Sequence, residues 1–496
     1  MREDQNHHEN PGLARPLDKK AVDLNGENSV YKWVIMSAFF AALIFSLLVF
    51  LPPASAEDEN PAHQWFKDHV KGTLLYKNFA HFQTTEAEQR TVRQEGILRL
   101  EVDQTFQENW RFFLVPQWKA DTANYTASPF QDFRDTYLRD SYFYLKEGYL
   151  KYRGDNFDVA VGKQFYTWGT ADGFNPTDNL NPRDYHDVPD REKLGIFSFA
   201  ATYYPPDASL TLVVVPFFTP SRLPLAHSRW SPNPNSKSSD DSAFGALGVP
   251  ADTTARRREM PGKRLDKVQV GLRAKQTFSG WDVALSYFDG YNTQPVVRVA
   301  DTVARPRFNR MHVIGADFTT TSGKFEYHGE WAARLYESGR ATSVLPIVLG
   351  GMYTMDYDWV KDLGLDQILW NLEYVREDQI LWNLEYVREI TLRKKFNDQY
   401  RESGVFDRPF QNSILTRLTF KVDENNELYT SINWNIHYHR TDHHHDNWLV
   451  QPKFMHKFSD SLKVEAGWEL FWGAQNSFWG KWKRNDRTFA KFTYFF

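Results

Sequence analysis

Apolar and polar positions alternate with period two over long windows of this chain. In 428–439, Leu428, Thr430, Ile432, Trp434, Ile436 and Tyr438 share one face, and Tyr429, Ser431, Asn433, Asn435, His437 and His439 share the other. In 462–472, Leu462, Val464, Ala466, Trp468, Leu470 and Trp472 oppose Lys463, Glu465, Gly467 and Glu469. In 281–288, Val283, Leu285 and Tyr287 oppose Asp282, Ala284 and Ser286. A period of two marks a strand whose two faces meet different surroundings. The windows run to about 10–13 residues, past the mode of about 5–6 for globular strands and close to the 9–11 a tilted strand needs to cross a bilayer.

The pattern predicts eighteen strands, near 71–82, 96–106, 110–120, 140–153, 157–167, 195–204, 208–217, 267–277, 281–290, 308–319, 324–335, 348–358, 367–376, 412–422, 428–439, 447–457, 462–472 and 487–496. Their connections alternate between short (107–109, 154–156, 205–207, 278–280) and long (121–139, 168–194, 218–266, 377–411). With both termini periplasmic, every short connection falls on the periplasmic side, as in bacterial outer-membrane barrels. A sheet in hydrocarbon must close on itself, because no backbone N–H or C=O can stay unpaired there. The expected fold is therefore an all-β transmembrane antiparallel barrel of about 18 strands (16–18) over residues 71–496. Trp110, Phe112, Tyr166, Trp168, Trp281 and Trp472 sit near strand ends, where interfacial aromatic girdles belong. Phe492, Tyr494 and Phe496 share the face of the last strand with Ala490. This resembles the C-terminal signal read by the outer-membrane assembly machinery.

Residues 34–51 are almost wholly apolar and lead to Ala54-Ser55-Ala56, the small-x-small spacing of a signal-peptidase site. The expected organisation is a polar n-region or over-extended gene start at 1–33, a signal peptide at 34–56 and a periplasmic segment at 57–70, before the barrel. An uncleaved membrane anchor is the alternative. Further on, DQILWNLEYVRE at 366–377 recurs unchanged at 378–389. Twelve is even, so either copy presents the same faces. One copy is expected as a strand (367–376), the other as an extension of the adjoining outer loop.

Composition narrows the function. Aromatics reach 16% against 41% hydrophobic residues, and the mean hydropathy is −0.59, which excludes a bundle of transmembrane helices. A net charge of −4 gives no basic patch for nucleic acid. With no cysteine, disulfides, thiolate metal sites and cysteine nucleophiles are excluded. No nucleophile elbow, zinc-binding helix motif or phosphate loop is present, so neither an enzyme nor a cofactor is expected. His443-His444-His445-Asp446, near His437 and His439, reads as a solvated loop, so no metal site is expected. The stretch from Ser228 to Arg264, with Arg256-Arg257-Arg258, reads as mobile surface, with a lipopolysaccharide-facing role for its arginines as the alternative.

The densest motif lies at 162–185: Gly162-Lys163-Gln164, Trp168-Gly169, Ala171-Asp172-Gly173-Phe174-Asn175-Pro176-Thr177-Asp178 and Asn181-Pro182-Arg183-Asp184. Val215-Pro216-Phe217-Phe218-Thr219-Pro220-Ser221-Arg222-Leu223-Pro224 follows. Over roughly 145–225 the chain resembles a group of largely uncharacterised bacterial outer-membrane barrels, and more distantly alginate-export-type barrels. That resemblance implies a porin-like fold and an outer-membrane location but no chemistry. Two Asn-Pro-x-Asp units give the loop a defined shape, because proline presets φ and Asn or Asp side chains bond nearby amides. It is expected to fold into the lumen as a constriction, with Asp172, Asn175, Asp178, Asn181, Arg183, Asp184, Asp187 and Arg191 carrying the selectivity. The alternative is a rigid cap whose charges pair with the barrel wall. Arg99, Glu101, Asp103, Lys463, Glu465 and Glu469 are expected on the lumen wall, their mixed signs giving weak ion selectivity. The expectation is a channel for small hydrophilic solutes with outer-membrane lipid around it. A second is the barrel of an export or electron-transfer assembly sheathing a periplasmic protein partner.

Overall fold

Alternation in the sequence becomes a wall of eighteen long strands. The computed structural model describes residue 65 and residues 67–225, 228–231, 254–255, 258–300, 303–337, 339–356, 379–396, 400–401, 406, 408–436, 446–475 and 477–496. The first nine wall strands are β1 (Val70–His81), β2 (Val92–Phe106), β3 (Trp110–Asp121), β4 (Asp140–Arg153), β5 (Phe157–Gln164), β6 (Ile196–Tyr203), β7 (Ala208–Val215), β8 (Gln269–Phe278) and β9 (Trp281–Tyr291). The other nine are β10 (Arg310–Ser322), β11 (Phe325–Tyr336), β12 (Ser343–Asp356), β13 (Gln379–Arg393), β14 (Asn412–Lys421), β15 (Asn426–Asn435), β16 (Asn447–Ser459), β17 (Leu462–Trp472) and β18 (Arg487–Phe495). Each is antiparallel to its sequence neighbours, and β1 closes on β18 from Thr73 opposite Phe495 to His81 opposite Arg487. A short strand, Thr126–Phe130, adds beside the start of β4. Closure removes the free edges that an open sheet leaves unpaired.

The outer surface is apolar. Leu285 is 61% and Leu349 55% exposed, while Ala284, Ser286 and Glu469 on the other face are buried. Phe492 and Tyr494 point outward on β18, as the sequence predicts. Beyond β18, Phe496 accepts from the Gly72 N–H at 2.7 Å and donates its own to the Gly72 carbonyl at 3.0 Å. Its ring covers Gly72, leaving no space there for a Cβ.

Strand thirteen departs from expectation. The wall uses the second repeat copy, in Gln379–Arg393, and not 367–376; the first copy lies outside the described residues. The second copy is followed by Ile390-Thr391-Leu392-Arg393, which continues the alternation against Ser343 to Leu345 of β12. The first copy is followed by Asp378-Gln379, which would put a carboxylate where Ile390 faces outward. The surplus residues therefore fall between β12 and β13, and the following long connection shortens to 394–411.

The lumen is not lined by polar side chains alone. At the long-loop end, Trp230, Phe406, Phe410, Trp479 and Trp482 from the loops pack on Val348, Val387, Leu415, Leu449 and Phe471 of the wall. Loops fold inward and bury this surface, so the barrel is partly filled. The signal peptide expected at 34–56, the histidine cluster with His437 and His439, and Arg256-Arg257 lie outside the described residues.

Candidate functional site

The loop between β5 and β6 is drawn together at its neck by one side chain. Asn181 Oδ1 accepts from the Tyr166 N–H at 2.7 Å, and its Nδ2 donates to the carbonyls of Gln164 (3.1 Å) and Leu194 (2.9 Å). Inside the loop, Asn175 Nδ2 donates to the Ala171 carbonyl and Asn179 Nδ2 to the Pro176 carbonyl. Both Asn-Pro units thus use amide side chains to fix turns. Arg183 and Lys193 share the Asp178 carboxylate at 2.9 and 2.7 Å. The polar sequence of this loop folds locally because its side chains replace the missing ladder.

On one side the loop rests on two wall glutamates. Glu330 of β11 accepts from the N–H groups of Thr170 (3.1 Å), Ala171 (3.3 Å) and Thr177 (2.7 Å) and from the Thr177 hydroxyl (2.7 Å). Glu385 of β13 accepts from the N–H groups of Asp172 (2.6 Å) and Gly173 (3.0 Å), and His328 lies 3.1 Å from it. Asn383 donates to Asp172 at 2.7 Å. Thr177 presses on β10 at Gly315, where a Cβ would lie 2.5 Å from its methyl group. Here glycine permits close approach.

The other side of the ring holds the loop with ion pairs. Arg487 of β18 grips Asp187 with two nitrogens at 2.7 and 2.8 Å and Glu469 of β17 at 2.6 Å. Arg93 of β2 pairs with Asp187 as well and with Glu95 at 2.5 Å. Asp190 lies between Lys77 of β1 (2.9 Å) and Lys491 of β18 (3.2 Å). Glu192 meets Arg99 at 2.9 Å and Lys146 at 3.3 Å. Burial opposes the charge of Glu192, but the Lys146 and Arg99 cations outweigh it and hold its carboxyl down at about 2. Asp190 is likewise buried, and Lys491 and Lys77 keep it well below the usual carboxylate range.

The two motif blocks meet each other. Arg222 donates to Asp135 (2.6 Å), to Asp184 (3.2 Å) and to Asp140, while its backbone pairs with Arg183 and Tyr185. Asp140, Asp184 and His186 bring ligand atoms within 4.8 Å of one another. Lys119 (2.6 Å) and Arg222 already bracket Asp140, so a divalent cation would face two fixed cations, and the set reads as an ion-pair knot.

All eight predicted loop residues are among the described residues, and they have different tasks. Asn181 and Asn175 fold the loop; Asp178, Arg183, Asp184 and Asp187 are spent on ion pairs; Asp172 and Arg191 line a cavity. Among wall residues, Arg99 and Glu469 bind the loop or its partners, Asp103 pairs with Arg111 (2.6 Å) and Lys463 lies 3.8 Å from Glu465. Glu101 lies between Arg99 and Asp103 on the same face of β2. Sequence reasoning gave no role to Glu330, Glu385, Arg222 or Arg487. A cavity of about 340 Å³ remains on the long-loop side, lined by Asp172, Phe174, Tyr185, Arg191, Gln294 and Phe406 among others.

No family model matches the chain, and no curated protein matches it. Solved structures do. Acinetobacter baumannii OccAB3 is 10% identical, with 86% of this chain and 98% of that one covered at a TM-score of 0.49. A BenF-like porin from Pseudomonas fluorescens is 9% identical, covering 86% and 97% at 0.47. Pseudomonas aeruginosa OccK5 is 12% identical, covering 86% and 98% at 0.45.

Proposed function

We propose that the chain is an outer-membrane channel passing small hydrophilic solutes by diffusion, with its lumen narrowed by residues 168–194. One observation carries this reading: the loop is tied across the lumen to opposite walls, by Glu330 and Glu385 on one side and by Arg93 and Arg487 on the other. A ring of 16–18 strands encloses an aqueous space unless loops fill it, and the polar cavity beside the loop is what remains. The apolar outer face suits lipid, with residues 34–56 as the export signal and the Phe492, Tyr494, Phe496 face offered to the assembly machinery. Solute moves down its gradient past loop side chains; no group needs to change covalently.

The test is single-channel conductance of the refolded chain in a planar bilayer, with and without residues 170–192. A conducting pore that widens on deletion supports the reading, and silence in both forms refutes it. A second reading is the barrel of an export or electron-transfer assembly that sheathes a periplasmic partner; the buried aromatic cluster around Trp230, Trp479 and Trp482 favours it only in that it suits a barrel shut in isolation. Silence alone, with conductance on adding periplasmic extract, would select it.

A further inference from the structure

Two opposite charges line the cavity beside the loop, and nothing among the described residues neutralises either. Asp172 is exposed there. Its carboxylate accepts one hydrogen bond, from the neutral Asn383 amide, and no lysine or arginine pairs with it. Arg191 lines the same cavity without a carboxylate partner. Burial opposes its charge more than the neighbouring Tyr185 supports it, and Arg183 opposes it further, so its proton affinity falls below that of an ordinary arginine. Asp172 and Arg191 form no pair with each other. The remaining charges at the cavity are spent: Asp178 serves Arg183 and Lys193, and Arg334 of β11 is engaged elsewhere.

This is not how the rest of the loop treats charge. Every other loop carboxylate from Asp178 to Glu192 lies within ion-pair distance of a cation. Against that pairing, the exposed Asp172 and the half-buried Arg191 are left available. Phe174, Tyr185 and Phe406 line the same cavity and give it some apolar surface. Its volume of about 340 Å³ admits several non-hydrogen atoms, since a water molecule occupies about 30 Å³ of liquid.

We infer that this cavity is a binding subsite for a zwitterion, with the anionic end on Arg191, the ammonium end on Asp172 and a short apolar spacer against the aromatic side chains. The inference rests on the channel reading and names the solute class it favours. A solute with one charge satisfies one of the two side chains and leaves the other desolvated, which is the physical basis of the preference.

The experiment uses the full refolded chain and 4-aminobutyrate as the probe, with butyrate and butylammonium as single-charge controls. In planar bilayers, 4-aminobutyrate should reduce the current at a concentration about tenfold lower than either control, a difference of about 1.4 kcal/mol. Arg191→Gln and Asp172→Asn should each erase that advantage. They should also move the reversal potential under a KCl gradient in opposite directions, the first toward cations and the second toward anions. A conducting channel that treats the three probes alike, or an advantage that survives both substitutions, overturns the proposal while leaving the channel intact. Should the channel be silent, saturable binding of labelled 4-aminobutyrate to the detergent-folded barrel decides the subsite by itself: binding lost in both variants supports it, and its absence overturns it.

Discussion

At β1, β2, β17 and β18 the loop and its wall meet through charges of both signs: Lys77, Arg93, Arg487 and Lys491 face Glu95, Asp187, Asp190 and Glu469. At β11 and β13 the wall offers carboxylates and the loop answers with neutral backbone N–H groups. The first contact balances its charge. The second satisfies hydrogen bonds yet keeps its negative charge, which Asp172 increases. Good geometry and charge neutrality are separate requirements, and a loop held by both kinds of contact has an uneven charge from one anchor to the other.

Removing one partner should hurt most where charges are buried together. Arg487→Met leaves Asp187 and Glu469 short of their shared cation, and about 3–5 kcal/mol of stability should go. Urea unfolding of the detergent-folded barrel measures this; a loss below about 1 kcal/mol would mean the contact behaves as a surface pair. Glu330→Ala should cost less, about 1–3 kcal/mol, since water can reach some of the amides it abandons. Excess current noise and faster proteolysis within 170–177 are the readouts. Glu330→Gln keeps an acceptor and should restore much of the order while shifting the reversal potential toward anions. Asn181→Ala cuts three bonds at the neck common to both contacts, for about 1–2 kcal/mol, with no change in ion preference. The smallest effect is that of mild acid. Glu192 has its carboxyl held down at about 2 against an ordinary 4.5, so its contribution is complete above 4.5 and fades as pH falls toward 2. Conductance should be flat from pH 7 to 5; opening within that span would contradict the assigned pairing.

Period two and turn spacing made the barrel legible, down to Asp140–Arg153, whose ends match the expectation. Alternation tells which face a side chain takes but not what crosses the lumen to meet it. Glu330 and Glu385 therefore looked like any inward carboxylate, although they lie 153 and 213 residues from loop groups they hold. Arg222 stood in the quoted motif without a task, because its partners come from two segments distant from it in the chain, 135–140 and 183–185. The aromatic cluster was hidden by polar loops, where Trp479 and Trp482 flanked by glycine and lysine were the only signal. The choice between repeat copies turned on four residues after the second one.

Asp187 and Asp190 have a further consequence when considered in time. Together they touch β1, β2 and β18, the strands on both sides of the seam where the cylinder closes. That seam joins segments about 400 residues apart along the chain, the pairing with the greatest loop-closure cost and the slowest to find. While it stays open, two strand edges are bare and prone to wrong partners. A loop already folded on its Asn-Pro turns would present both aspartates as a template for the two edges, and once they meet it becomes a stitch on the inside of the join.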